Sequence, residues 1–299
     1  MPDGLGRRGI PYAEPQYLLV NMTQLKFGLM LSQEPAGIAR AAHKALTVAR
    51  ARGILGLVRA VEHSVTERYA RWQEDRFDRR YGVDTRGIED DLASLGATGE
   101  HLPDAYGYEP VRATVFRAIM RALAIDPLRY VFVDFGSGKG RALLLAAQYG
   151  FRRVIGVELA PRLHEIARRN VQAFQHRVPR ASPIELHCGD AAGLAIPDAD
   201  TLLCFYNPFG ARVLGKVAAN IEQSYRRLPR NLAIAYRNPM HPDAFEQLPF
   251  LRRTVRNESF AVYRTRGFHE PKFDGCQLSP GRKPVPSGRG ARFESCLKQ

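Results

Sequence analysis

The sequence predicts an α/β domain: a mostly parallel seven-stranded sheet with helices on both faces, preceded by an N-terminal helical extension. Two observations carry that expectation. From Tyr130 onward, short β-branched or aromatic runs alternate with helical stretches, the pattern of a parallel sheet wrapped on both sides. The first of these runs also ends in a tight glycine cluster, Gly136-Ser137-Gly138-Lys139-Gly140, where a strand gives way to a helix.

Each element follows in order. Residues 1–33 show no sustained period and contain Pro2, Pro11 and Pro15, so they are read as loosely structured. Residues 34–107 read as a helical accessory region and linker. Ile38, Ala41, Ala42, Ala45 and Ala49 make one helical stripe, and Val58, Val61, Val65, Tyr69 and Trp72 a second. Gly82, Gly87, Gly96 and Gly99 then punctuate an approach to the next domain. That domain spans residues 108–268 and opens with a helix from Val111 to Leu123. Strands are placed at Tyr130–Phe135, Arg153–Leu159, Ile184–Cys188, Thr201–Tyr206 and Asn231–Tyr236, with helices at Arg141–Tyr149, Pro161–Phe174 and Ala211–Leu228 between them. A short helix at Asp243–Leu248 and an antiparallel pair, Leu251–Val255 with Phe260–Tyr263, complete it. Residues 269–299, rich in Gly, Pro, Ser and basic side chains, read as a basic disordered tail.

Composition narrows the partners. Lys plus Arg number 44 against 30 Asp plus Glu, a net charge of +14. Such a potential attracts phosphate polymers or acidic proteins, although solvated Arg-rich helix faces produce the same count. Nucleic acid is thus a partner class that the charge allows. The four cysteines, Cys188, Cys204, Cys276 and Cys296, form no Cys-x-x-Cys pair, so no metal is expected. Cys188 and Cys204 fall in apolar strand-like runs and read as buried thiols of a reducing, cytoplasmic compartment. No secretory signal pattern opens the chain, and no apolar run approaches the roughly 20 residues of a membrane span, so no membrane partner is expected.

The chemistry concentrates in Val133-Asp134-Phe135-Gly136-Ser137-Gly138-Lys139-Gly140-Arg141. Alternate glycines let a ligand lie directly on the main chain at the carboxyl end of the first strand. The nicotinamide fingerprint G-x-G-x-x-G uses the same place, but here a third glycine follows after one residue and Arg141 stands where that fingerprint wants Gly or Ala. An NAD-dependent oxidoreductase is disfavoured on that spacing. Asp134 suits a cationic amino group, and the loop fits S-adenosylmethionine, which has no pyrophosphate, better than NAD. Glu158 ends the second strand roughly 20 residues on, where an acid can accept from both ribose hydroxyls. Asp190, in Cys188-Gly189-Asp190-Ala191 after the third strand, can accept from an adenine amino group. The fourth strand ends Tyr206-Asn207-Pro208-Phe209-Gly210, offering an amide oxygen to orient an N–H and aromatic rings to pack a substrate. A plain strand-to-helix turn is the other reading of that stretch. His187 and His241, near strand ends, read as structural.

Residues Tyr108 to about Arg266 resemble the class I S-adenosylmethionine-dependent methyltransferases, whose fold is Rossmann-like. Asp134 to Gly140 resembles their first motif, Glu158 their ribose acid, Gly189-Asp190 their adenine acid, and Asn207-Pro208-Phe209 their fourth motif. The Tyr108-Glu109-Pro110 lead-in and the Gly-Ser-Gly-Lys-Gly loop are most similar to bacterial proteins without a settled substrate, and distantly to lysine methyltransferases that lack a SET domain. The resemblance implies that Tyr108 closes over S-adenosylmethionine, with Asp134, Gly136, Ser137, Gly138, Gly140, Glu158, Asp190 and Ala191 holding it. It also implies an acceptor site around Asn207, Tyr206 and Phe209. The fourth motif lacks a doubled proline, which puts a base or glutamine amide in doubt as acceptor. The expected activity is methyl transfer to a nitrogen, a protein lysine or another amine, with protein or small-molecule acceptors favoured. A non-catalytic protein that keeps the fold and binds nucleic acid through its basic surface is the alternative.

Overall fold

The computed structural model describes residues 74–267, together with Gly53 and Trp72. The chain divides into two compact units, Met1–Gln73 and Glu74–Gln299. The loosely structured N-terminus, the helical stripes apart from the exposed, helical Trp72, and the basic tail lie outside the described residues.

In the second unit a helical stretch over 74–81 is followed by a long irregular segment. Then come α1 (Ala113–Leu123), β1 (Val131–Phe135), α2 (Arg141–Tyr149), β2 (Arg153–Glu158), α3 (Pro161–Arg177) and β3 (Ile184–Cys188). After them run β4 (Thr201–Tyr206), α4 (Ala211–Arg227), β5 (Leu232–Arg237), α5 (Asp243–Glu246), β6 (Leu251–Arg256) and β7 (Phe260–Thr265). The sheet order is β3-β2-β1-β4-β5-β7-β6, with β7 antiparallel to both of its neighbours. The expected seven-stranded, mostly parallel sheet is therefore present.

Strand alternation builds two apolar layers. In β1, Phe132 faces Leu123, Leu144, Phe151 and Phe174, whereas Val133 and Phe135 face Phe205, Leu214, Ile221 and Tyr236. Side chains on both faces are thereby buried, which is why β1 reads as an apolar run broken only by Asp134. β3 stands at the sheet edge with one neighbour, and this corrects the reading of Cys188 as a buried thiol: it is exposed, while Cys204 is half-buried.

β1 lies between β2 and β4, so chain direction across the sheet reverses there and opens a crevice at the carboxyl ends of the strands. The stretch read as a linker is bound tightly above that crevice. Asp78 accepts from the Thr85 amide at 2.9 Å and hydroxyl at 2.7 Å, and Arg141 Nη1 reaches Thr85 Oγ1 at 2.8 Å and Asp78 Oδ1 at 3.3 Å. Lys139 Nζ donates to the Arg86 carbonyl and to Glu89, and Asn170 exchanges bonds with both backbone groups of Asp84. Its glycines read as those of a linker, and the partners of its charged side chains lie far along the chain. No helix among the described residues is long and apolar enough to cross a membrane.

Candidate active site

The glycine loop is shaped by what lies on it. Gly138 has φ 53°, and a Cβ there would come within 2.0 Å of Tyr108 Cδ2, so only glycine lets the aromatic ring rest on the backbone. Tyr108 is fixed in place by its hydroxyl, which donates to the Thr85 carbonyl at 2.7 Å, and by paired backbone bonds with Glu89. Gly140, also left-handed, is the N-cap of α2.

A cleft brings together Tyr108, Asp134, Gly136, Ser137, Glu158, Asp190 and Ala191, whereas Gly138 and Gly140 do not line it. The cleft is partly open to solvent, with about 1060 Å³ of empty space when its mouth is included. Asp134 is 5% exposed, and burial, reinforced by the nearby Glu158 charge, pushes its pKa up to about 8. No side-chain or backbone donor among the described residues meets its carboxylate. It is a buried acceptor whose natural complement is a cation. Glu158 accepts from the Gly138 amide at 2.7 Å and the Ala160 amide at 2.9 Å; burial raises its pKa, and these amides pull it back. Asp190 caps the short turn Ala191–Gly193 through Oδ1, at 2.9 Å from the Ala192 amide. Its Oδ2 lies 2.6 Å from His101 Nδ1.

At the other end of the cleft stand Glu109, Tyr206, Pro208 and Arg237. Burial raises the pKa of the Tyr206 phenol, and the negative charge of the nearby Glu109 carboxyl raises it further. The Arg237 guanidinium lies 4.9 Å from the centre of its ring. Asn207 adopts φ 43° and turns its amide oxygen to the Tyr236 hydroxyl at 3.4 Å, so it does not line the cleft. Phe209 does touch the cleft wall, but its ring is 5% exposed and sits edge-on to Phe205 at 6.4 Å, as part of the core. His187 pairs with Glu185 at 2.9 Å and is outside the cleft.

Sequence reasoning missed His101 and assigned no role to Glu109. A lone His carries no local signal, and its contact with Asp190 spans 89 positions. Glu109 stood in the quoted lead-in, but only folding brings it to Tyr206.

A doubly wound sheet with acids at the ends of β1, β2 and just beyond β3 presents side chains that could hold a nucleoside carrying a cationic amino group. Residues 132–230 match a family described as a methyltransferase domain. That match makes residues 132–230 a methyltransferase domain, whose methyl donor is S-adenosylmethionine. Among solved structures, the chain is similar to an RNA methyltransferase from Salinibacter ruber in complex with S-adenosyl-L-homocysteine, at 24% identity over 52% of this chain and 92% of that one, with a TM-score of 0.37. It is also similar to precorrin 8w decarboxylase of Methanobacterium thermoautotrophicum, at 20% identity over 53% and 92%, TM-score 0.39. A methyltransferase from Geobacter sulfurreducens is similar at 19% identity over 52% and 80%, TM-score 0.37. No curated protein matches the chain.

Proposed function

We propose that the enzyme methylates a nitrogen acceptor, a protein lysine or another amine, working in the cytoplasm. The observation that carries this reading is the exposed Glu109 carboxyl, which lines the cleft near the Tyr206 phenol at the acceptor end. A carboxylate there attracts an ammonium group and takes one of its protons, which frees the nitrogen lone pair to receive the methyl group as the carbon–sulfur bond breaks. The free thiols of Cys188 and Cys204 fit a reducing compartment. The net charge of +14 suits an acceptor borne on an acidic protein, and also admits nucleic acid.

In this reading Asp134 receives the amino group of S-adenosylmethionine, Glu158 the ribose hydroxyls and Asp190 the adenine amino group, with Tyr108, Gly136, Ser137 and Ala191 forming the walls. When bound, the cofactor supplies an electrophilic methyl group on sulfur. The protein's own contribution is placement: strong acid or base power is not required, and alignment alone can supply roughly 7–11 kcal/mol. Tyr206 and Glu109 orient the amine, Pro208 walls the turn, and Asn207 supports that turn through Tyr236.

The test is transfer of isotope-labelled methyl from S-adenosylmethionine into a fractionated cell lysate, followed by hydrolysis and chromatography. Label on lysine or another amine nitrogen is expected, and it should fall at least tenfold for Glu109→Gln. Label confined to oxygen or carbon would overturn the reading.

A further inference from the structure

His101 is 6% exposed, lines the same cleft and is one of the few buried polar side chains there without a part in the reading above. Its ring sits among three charged groups. On one side Nδ1 lies 2.6 Å from Asp190 Oδ2; on the other Nε2 lies 2.8 Å from Lys216 Nζ and 2.9 Å from Glu100 Oε1. Lys216 Nζ also reaches Glu100 at 2.8 Å. An ammonium group can only donate, so the Nε2 that faces Lys216 accepts and the ring proton belongs on Nδ1. If the ring takes a second proton, Nε2–H turns to Glu100, and Nδ1–H still points at Asp190. The partners thus fix the tautomer.

The surroundings hold His101 rigidly. Arg212 donates to the Glu100 carbonyl at 2.7 Å. Three residues on, Asp104 accepts from the Val213 amide at 2.9 Å, and its carbonyl accepts from the Gly210 amide at 2.8 Å. The start of α4 therefore anchors the segment that carries the imidazole.

We infer that His101 is a positioning residue for the adenine end of the cleft: its Nδ1–H keeps Asp190 an oriented, acceptor-only carboxylate, which selects a 6-amino purine over a 6-oxo purine. The inference rests on the reading of Asp190 as the adenine acid. With Oδ1 held by the Ala192 amide and Oδ2 by His101, the remaining lone pairs can only accept. An adenine amino group satisfies them, and the carbonyl oxygen of hypoxanthine opposes them.

The experiment is calorimetric titration of the full chain with S-adenosylhomocysteine and with its inosine counterpart, for the unaltered protein, Asp190→Ala, His101→Leu and His101→Asn. The unaltered protein should prefer the adenine compound by about tenfold or more, the range of one hydrogen bond to a charged group. His101→Leu, close in size but without a donor, should narrow that preference to about threefold. His101→Asn, with an N–H near the place of Nδ1, should restore most of it. A preference that is absent in the unaltered protein overturns the inference without any variant. Equal loss in Leu and Asn variants would make His101 a packing residue and overturn it too. If Asp190→Ala weakens adenine binding while His101→Leu leaves the preference intact, the positioning role fails and the cofactor reading stands. If Asp190→Ala changes nothing, it is the assignment of Asp190 that fails.

Discussion

Asp134 is an acid held where water scarcely reaches it, and its behaviour with pH follows from that. An exposed aspartate ionises near 3.8, but burial lifts this one to about 8. Between those values the folded protein holds a proton that the unfolded chain has released, so folding stability falls as pH rises from about 4 to 8. The effect is on the order of 5 kcal/mol. Asp134→Asn should abolish that decline, read as a melting temperature that changes less between pH 5 and pH 8.5 than in the unaltered protein. The same variant should bind S-adenosylmethionine at least tenfold more weakly, because a hydrogen bond to a charged group is worth about 1.5–3 kcal/mol. Only the ionised carboxyl can pair with the amino group, so cofactor affinity should climb with pH until about 8. At pH 7 binding should release a proton, seen as a calorimetric heat that depends on the buffer. A pH-independent affinity would remove Asp134 from the cofactor site.

The glycine loop and the segment bound over it act together. Gly138→Ala must both adopt a left-handed conformation and displace the Tyr108 ring, and strain of that kind costs about 1–3 kcal/mol. Chemical denaturation should show that loss, and adding Tyr108→Ala should recover part of it, giving a non-additive cycle. Simple additivity would mean that the ring does not rest on the loop. Beneath them, Arg141 is 1% exposed and depends on Asp78, which is 3% exposed, for its countercharge. Asp78→Ala should destabilise the domain by about 3–5 kcal/mol, since it strands a buried guanidinium, and the double variant Asp78→Ala/Arg141→Met should be more stable than the single one.

Across the whole second unit, the described sheet closes at Thr265, and the Arg266 amide still bonds the Phe250 carbonyl at 2.8 Å. A chain ending at Gly267 keeps every described element and should bind S-adenosylhomocysteine within about twofold of the full chain, where RT ln 2 is roughly 0.4 kcal/mol. A larger loss would give residues 268–299 a place in the cofactor site.

The order of strands and helices, the glycine loop and the acids at Asp134, Glu158 and Asp190 were all legible in the sequence, because each depends on neighbours a few positions away. Strand alternation, helical spacing and a glycine that must turn leave local marks. Asn207 shows where such marks stop: its residue type and place in the turn were visible, but the left-handed conformation that turns its amide toward Tyr236 was not. The exposure of Cys188 likewise depended on β3 being an edge strand, which no single stretch of chain reveals. The clamp of Asp78 and Thr85 on Arg141, the meeting of Glu109 with Tyr206, and the seat of His101 against Asp190 are long-range pairings. They exist because the segment before α1 crosses the carboxyl edge of the sheet, and that path follows from packing and charge pairing across the fold, not from any local pattern.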